Sequence, residues 1–194
     1  QAGFTSDMSA ASSQPYEGNI ATCQKVVAGA HAVNVSVEGE LGTIGNTDSV
    51  ETTAPGEILY TDPDQAKDFI EKTGIDCLAV AIGTCHGIYP KDKKPELRID
   101  ILDEIKKLVS VPLVLHGGSS NKDSEIAKSV EHGVNKINIS SDIKAAYYTK
   151  MREVLKDENL REPNQIQPPC LEAMKEVAYQ KIELFQADGK AALY

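Results

Sequence analysis

Apolar positions along the chain change their period several times. Two runs, Leu78-Ala79-Val80-Ala81-Ile82 and Val111-Pro112-Leu113-Val114-Leu115, are apolar at almost every position, as strands covered on both faces should be. The pattern predicts strands over residues 35–40, 77–82, 112–116 and 136–139, with an earlier one near 3–8. Each is followed by a stretch of helical period: residues 17–32, 63–72, 99–109, 124–132 and 142–155. A last helix is expected over 169–185, after the breaker-rich Glu162-Pro163-Asn164 and Pro168-Pro169. Asp62 and Pro63 have the order of an N-cap and first helical residue, and Gly74 and Gly133 stand where helices end.

Strand and helix in alternation indicate parallel βα units. Five units are legible, the first one weak. A complete eight-unit barrel takes roughly 250 residues, and this chain has 194. The periodicity therefore leaves two architectures open, a doubly wound sheet or part of a barrel. The connection over 42–56, rich in Gly, Thr, Asn, Asp and Pro, is longer than an ordinary βα loop. Such connections are either surface excursions or binding loops.

Composition narrows the class. With 41% hydrophobic and 25% charged residues the chain is expected to be one soluble globular domain spanning 1–194, with 163–194 a helical extension of it. A formal net charge of −9 argues against electrostatic binding of nucleic acid. No apolar run approaches the ~20 residues of a membrane span, and no secretory signal opens the sequence. Cys23, Cys77, Cys85 and Cys170 form no CxxC pair, so neither a disulfide framework nor a zinc knuckle is expected, and the cytoplasm is the default compartment.

In parallel α/β folds, chemistry gathers at the C-terminal ends of strands. Here those ends read Glu38-Gly39-Glu40-Leu41-Gly42, Gly83-Thr84-Cys85-His86-Gly87, His116-Gly117-Gly118-Ser119-Ser120 and Asn138-Ile139-Ser140-Ser141-Asp142. His86 and His116 share one placement, just past an apolar strand and just before glycine. Neutral imidazole is a common zinc ligand, and two of them on neighbouring strands can converge on one ion. Either histidine alone would more often be a satisfied core or surface group than a ligand. The Gly117-Gly118-Ser119 turn and residues 138–141 lie where barrels hold phosphate on backbone N–H groups and a helix N-terminus. His31 and His132, near helix ends, and Lys136, ahead of the last strand's core, read as structural.

These motifs, in this order, resemble those of class II ketose-bisphosphate aldolases, the fructose- and tagatose-bisphosphate enzymes. The match runs from Gly3-Phe4-Thr5-Ser6 through Ser36-Val37-Glu38-Gly39-Glu40-Leu41-Gly42 and Leu59-Tyr60-Thr61-Asp62-Pro63 to Lys136-Ile137-Asn138-Ile139. The resemblance implies a (β/α)8 TIM barrel with strands four to eight represented and strands one to three missing. It implies Zn2+ held by His86 and His116, with Glu40 at an alternative metal position, and a monovalent cation. Gly87, Gly117, Gly118, Ser119, Asn138, Ile139, Ser140 and Ser141 would bind the dihydroxyacetone-phosphate half of the sugar bisphosphate, and Asp48 falls nearest a loop glutamate that handles the substrate proton. A cytoplasmic homo-oligomer is the expected assembly.

The departures are specific. The family's third zinc histidine and its proton-donating aspartate follow the third strand and have no counterpart here. Ala10 stands at the position of a fourth-strand aspartate, and Asp7 replaces an apolar strand residue. Two readings follow: an aldolase whose N-terminal third lies outside this sequence, or a non-catalytic partial barrel that retains a phosphate pocket or serves assembly.

Overall fold

A computed structural model describes residues 3–43, 45–46, 59–86 and 96–193, with 45–46 and 85–86 described by their backbone. In chain order the elements are β1 (Ser6–Ser9), α1 (Tyr16–His31), β2 (Ser36–Leu41), β3 (Gly45–Asn46), α2 (Pro63–Thr73), β4 (Cys77–Val80), β5 (Cys85–His86), α3 (Ile99–Leu108), β6 (Leu113–Leu115), α4 (Asp123–Glu131), β7 (Val134–Ile137), α5 (Ser141–Val154) and α6 (Pro163–Leu184), with a 3-10 turn at Lys190–Leu193. Strands β1, β2, β4, β6 and β7 form one parallel sheet in that order. A doubly wound sheet reverses its strand order part-way. This one never does, so the barrel-type arrangement is the one observed.

The two faces of the sheet differ because side chains alternate along a strand. Val37 and Leu41 of β2, Leu78 and Val80 of β4, and Leu113 and Leu115 of β6 turn toward the helices and join one core with Ile20, Phe69, Leu102, Ile105 and Ile126. Each such side chain, fully buried, contributes roughly 1.5–3 kcal/mol. Helix α3 supplies Ile99, Leu102 and Ile105 to that core at three-residue intervals, the stripe an amphipathic helix presents. The intervening residues Glu38, Glu40 and His116 face the other way, and they too are buried. That second face carries buried polar groups.

Local signals place the helices. Asp62 accepts a hydrogen bond from the Gln65 N–H at 2.9 Å and caps α2, with Pro63 in the first turn. Gly74 ends α2 at φ 70°. Three expectations need correction. Helix α6 begins at Pro163 and runs through Pro168 and Pro169 instead of starting after them. The carbonyls those prolines leave without helical partners belong to Asn164 and Gln165, both exposed, so solvent can satisfy them. The last strand is Val134–Ile137, two residues earlier than expected, so Lys136 lies inside it, while Asp7 is exposed on β1 and no carboxylate is buried there.

The outer elements are thinly covered. Phe4 and Met8 beside β1 are exposed. Helix α5 packs against α6 and has no fully buried residue.

Asp76 joins the end of α1 to the start of β2: its Oδ2 lies 2.9 Å from His31 Nε2 and accepts from the Val37 N–H at 2.6 Å. Burial pushes the carboxyl up, but the bonds from His31 and Val37 bring it below the usual aspartate range. Replacing it, Asp76→Ala, should cost about 1 kcal/mol at neutral pH, discounted for the exposure of both side chains. A carboxyl with a depressed pKa stabilises while it is ionised. The deficit of Asp76→Ala should therefore shrink as pH falls below about 4, as urea denaturation of both proteins across pH would show.

Candidate active site at the strand ends

Glu38 is a buried carboxylate in the middle of β2, and its partners come from the three strands beyond it, the weakest being the Cys77 thiol of β4, 3.9 Å from Oε2. Its Oε1 lies 2.9 Å from Nε2 of His116, at the end of β6. Its Oε2 accepts from Lys136 Nζ of β7, also at 2.9 Å. The Glu38 and His116 side chains are 5% and 6% exposed, and an ion left alone at such depth would cost several kcal/mol. Burial pushes the Glu38 carboxyl up, yet the hydrogen bonds from His116 and Lys136 outweigh it and hold the group below the usual glutamate range. Lys136 also donates to Asn138 Oδ1 at 2.7 Å, and the Asn138 Nδ2 lies 3.3 Å from His116 Nδ1. Thr84 Oγ1 donates to the His116 carbonyl at 2.7 Å, fixing the strand end from β4's side.

The glycine-serine turn after β6 is built against the start of α5. The Ser140 side chain makes no cap bond. Ser119 supplies the cap instead: its Oγ accepts from the Ser140 and Asp142 N–H groups at 3.2 and 3.3 Å. The Gly118 N–H donates to the Asn138 carbonyl at 3.2 Å. Gly117 has φ 64°, a conformation that favours glycine. At Gly118 the reason is space, since an added Cβ would lie 2.5 Å from Ile137 Cγ2. Below the turn, Asn121 Nδ2 donates to the Gly117 and Ser119 carbonyls. Asp142 accepts from the Ser120 N–H at 3.0 Å, and Lys181 of α6 lies 3.3 Å from Asp142 Oδ2. The result is a helix N-terminus, capped here by the Ser119 hydroxyl, beside a buried imidazole; the positive end of a helix dipole favours an anion.

Of the expected site residues, His116, Gly117, Gly118, Ser119, Asn138 and Ser140 are therefore joined by the bonds above, and Ile139 and Ser141 adjoin them in sequence. Glu40 shares Glu38's face of β2 and accepts from Ser12 Oγ at 2.7 Å. The backbone of His86 pairs with Asn46 in the parallel β3–β5 ladder, which brings residues 45–46 beside the strand end. The His86 side chain, Gly87 and Asp48 lie outside the described residues. Among the described residues no cluster of three or more His, Cys, Asp or Glu side chains could hold a metal ion. The donor chemistry of His116 fits a metal nonetheless. A ligating histidine usually gives its second ring nitrogen to a carboxylate, as His116 does to Glu38.

Sequence reasoning missed Glu38 and read Lys136 only as structural. The signal for Glu38 was available: it stands two residues before Glu40 and so shares its face, and a charge within a strand of a covered sheet requires partners.

The family model for class II fructose-bisphosphate aldolase matches residues 1–190. The chain is 39% identical over 193 residues to the fructose-bisphosphate aldolase of Geobacillus stearothermophilus, covering 98% of this chain and 66% of that protein. It is 41% identical over 191 residues to the fructose-bisphosphate aldolase of Staphylococcus aureus strain Mu50, covering 98% and 65%. The crystal structure of the YdjI aldolase from Escherichia coli K12 superposes with a TM-score of 0.82 at 36% identity, over 97% of this chain and 64% of that one. A putative fructose-1,6-bisphosphate aldolase from Coccidioides immitis gives 0.85 at 30% identity, over 97% and 65%. The chain thus spans just under two thirds of the length of these relatives.

The close approach at Gly118 yields a stability test. Gly118→Ala should destabilise the protein by about 1–3 kcal/mol through overpacking. Ile137→Ala removes the atom that the new methyl meets, so the double variant should lose less than the two single losses added, a coupling that denaturant titration of the four proteins measures.

Proposed function

The chain belongs to the class II fructose-bisphosphate aldolase family, and on that premise we propose that the protein cleaves a ketose 1,6-bisphosphate, fructose or tagatose, to dihydroxyacetone phosphate and glyceraldehyde 3-phosphate, and catalyses the reverse condensation. The observation that carries this reading is the Ser119 hydroxyl seated on the first N–H groups of α5, in the turn that begins with His116. It sets the start of α5, whose dipole favours an anion, beside a candidate metal ligand.

His116 and His86 would hold Zn2+, with Glu40 at an alternative position and a monovalent cation nearby. The bound ion supplies a Lewis acid that draws electrons from the substrate ketone as the carbon–carbon bond breaks. The rest falls to the chain. Gly87, Gly117, Gly118, Ser119 and residues 138–141 bind the phosphate and orient the ketone half, and Asp48 moves the proton on the substrate carbon. The third imidazole and the proton-donating aspartate would come from a further N-terminal third. That third would add three βα units and close the barrel around residues 1–194, of which 163–194 form the helical extension. The exposed β1 edge and the thinly covered α5 support such packing. Among the described residues no helix is long and apolar enough to cross a membrane, in keeping with a cytoplasmic enzyme. Leu171, Tyr179 and Ile182, exposed on α6, offer a surface for self-association.

The test is an aldol-cleavage assay with both bisphosphates. Residues 1–194 alone should show little turnover, and a protein extended by roughly 90 residues, three βα units, should be active. Chelator should abolish that activity and zinc restore it. In the extended protein, His116→Ala should lower kcat by about a hundredfold or more. Ser119→Ala should raise KM about tenfold, the size of one hydrogen bond to a charged group. Full turnover in the presence of chelator would refute the metal reading, and a borohydride-trapped adduct would indicate a lysine Schiff base instead.

A further inference from the structure

We propose that Lys136 and Glu38 are positioning residues that fix the tautomer of His116, so that its Nδ1 is the nitrogen offered to a metal. The inference rests on the zinc reading above for its use, though not for its geometry. A neutral imidazole carries its proton on one nitrogen and a lone pair on the other. An ionised carboxylate only accepts, and Glu38 Oε1 stands 2.9 Å from Nε2. Nε2 therefore holds the proton, and the lone pair is on Nδ1.

Asn138 gives the same answer independently. The ammonium of Lys136 has donors and no acceptor, and it lies 2.7 Å from one end of the Asn138 amide. That end must be the oxygen. The NH2 end then faces His116 Nδ1 at 3.3 Å, where it meets a lone pair and not a second N–H. One cation on β7 thus orients both neighbours of the ring. It binds Glu38 Oε2 at 2.9 Å, which keeps the carboxylate ionised, and it turns Asn138. The device spans β2, β6 and β7, and neither Glu38 nor Lys136 needs to touch substrate.

The experiment uses the complete protein, prepared metal-free and labelled with 15N at histidine. Long-range 1H–15N spectra report which ring nitrogen of His116 carries the proton, the resonances being assigned by their loss in His116→Gln. Zinc affinity is measured by competition with a chromophoric chelator, and circular dichroism checks folding. Wild type should show Nε2–H. In Glu38→Gln the single amide oxygen is drawn to Lys136 and its NH2 faces Nε2, so both ring nitrogens face an N–H donor and the single Nε2–H signature of wild type should be lost. Zinc affinity should fall about 10–100-fold, the usual consequence of removing such a partner. Lys136→Met should lose affinity in the same direction, and Lys136→Arg, again a donor-only cation, should recover it. A merely structural role for the pair would not move the tautomer.

Nδ1–H in wild type would overturn the proposal. So would folded Glu38→Gln and Lys136→Met proteins that bind zinc as wild type does. If Glu38→Gln does not fold, the wild-type spectrum and the Lys136 variants decide. A wild type that shows Nε2–H but binds no zinc would sink the metal reading and leave the tautomer control standing.

Discussion

A carboxylate buried in the sheet constrains the rest of the site. Glu38 sits at a depth where an unpartnered charge would be untenable, and its two oxygens are taken by groups from β6 and β7. Those strands are not neighbours of β2, because β4 lies between β2 and β6. The ion pair can exist only if four parallel strands are stacked in one order and register. In turn, the pair holds the imidazole that closes β6 in one orientation. Fold and site are therefore the same interaction seen from two sides.

The small residues on β4 make this geometry possible. Ala79 is fully buried and in register with Glu40 on one side and Val114 on the other. Short side chains on the strand between leave room for long polar ones to meet from either side. The face toward the helices has the opposite composition, large and aliphatic, and supplies the driving force that keeps the strands together. One sheet thereby separates stabilisation from chemistry by the alternation of side chains along each strand.

The turn after β6 is fixed by a different means. Its serine caps a helix that its own N-terminal residue leaves uncapped, and Asp142 with Lys181 ties the turn to α6. The C-terminal helix is thereby coupled to the candidate phosphate loop through side chains, and a change in α6 would be felt at the turn.

Much of this was legible along the chain. Alternating apolar runs and amphipathic stretches marked the principal strands and the helices because strand and helix periods differ. Asp62-Pro63 and Gly74 marked the limits of α2 because capping is local. Residue order also placed His116, Gly117, Gly118 and Ser119 at a strand end, since that follows from where the apolar run stops. Other features were decided only by the tertiary structure. Helix α6 includes Pro168 and Pro169 because its exposed first turns can leave two carbonyls to water, a matter of burial that no local rule records. Asp7 is harmless because its strand is uncovered. Above all, nothing near Glu38 in sequence announces His116 or Lys136, since 78 and 98 residues separate them. Sequence sets which residues stand on a strand and which face they share, while contact between faces of distant strands is set by the order in which the sheet assembles.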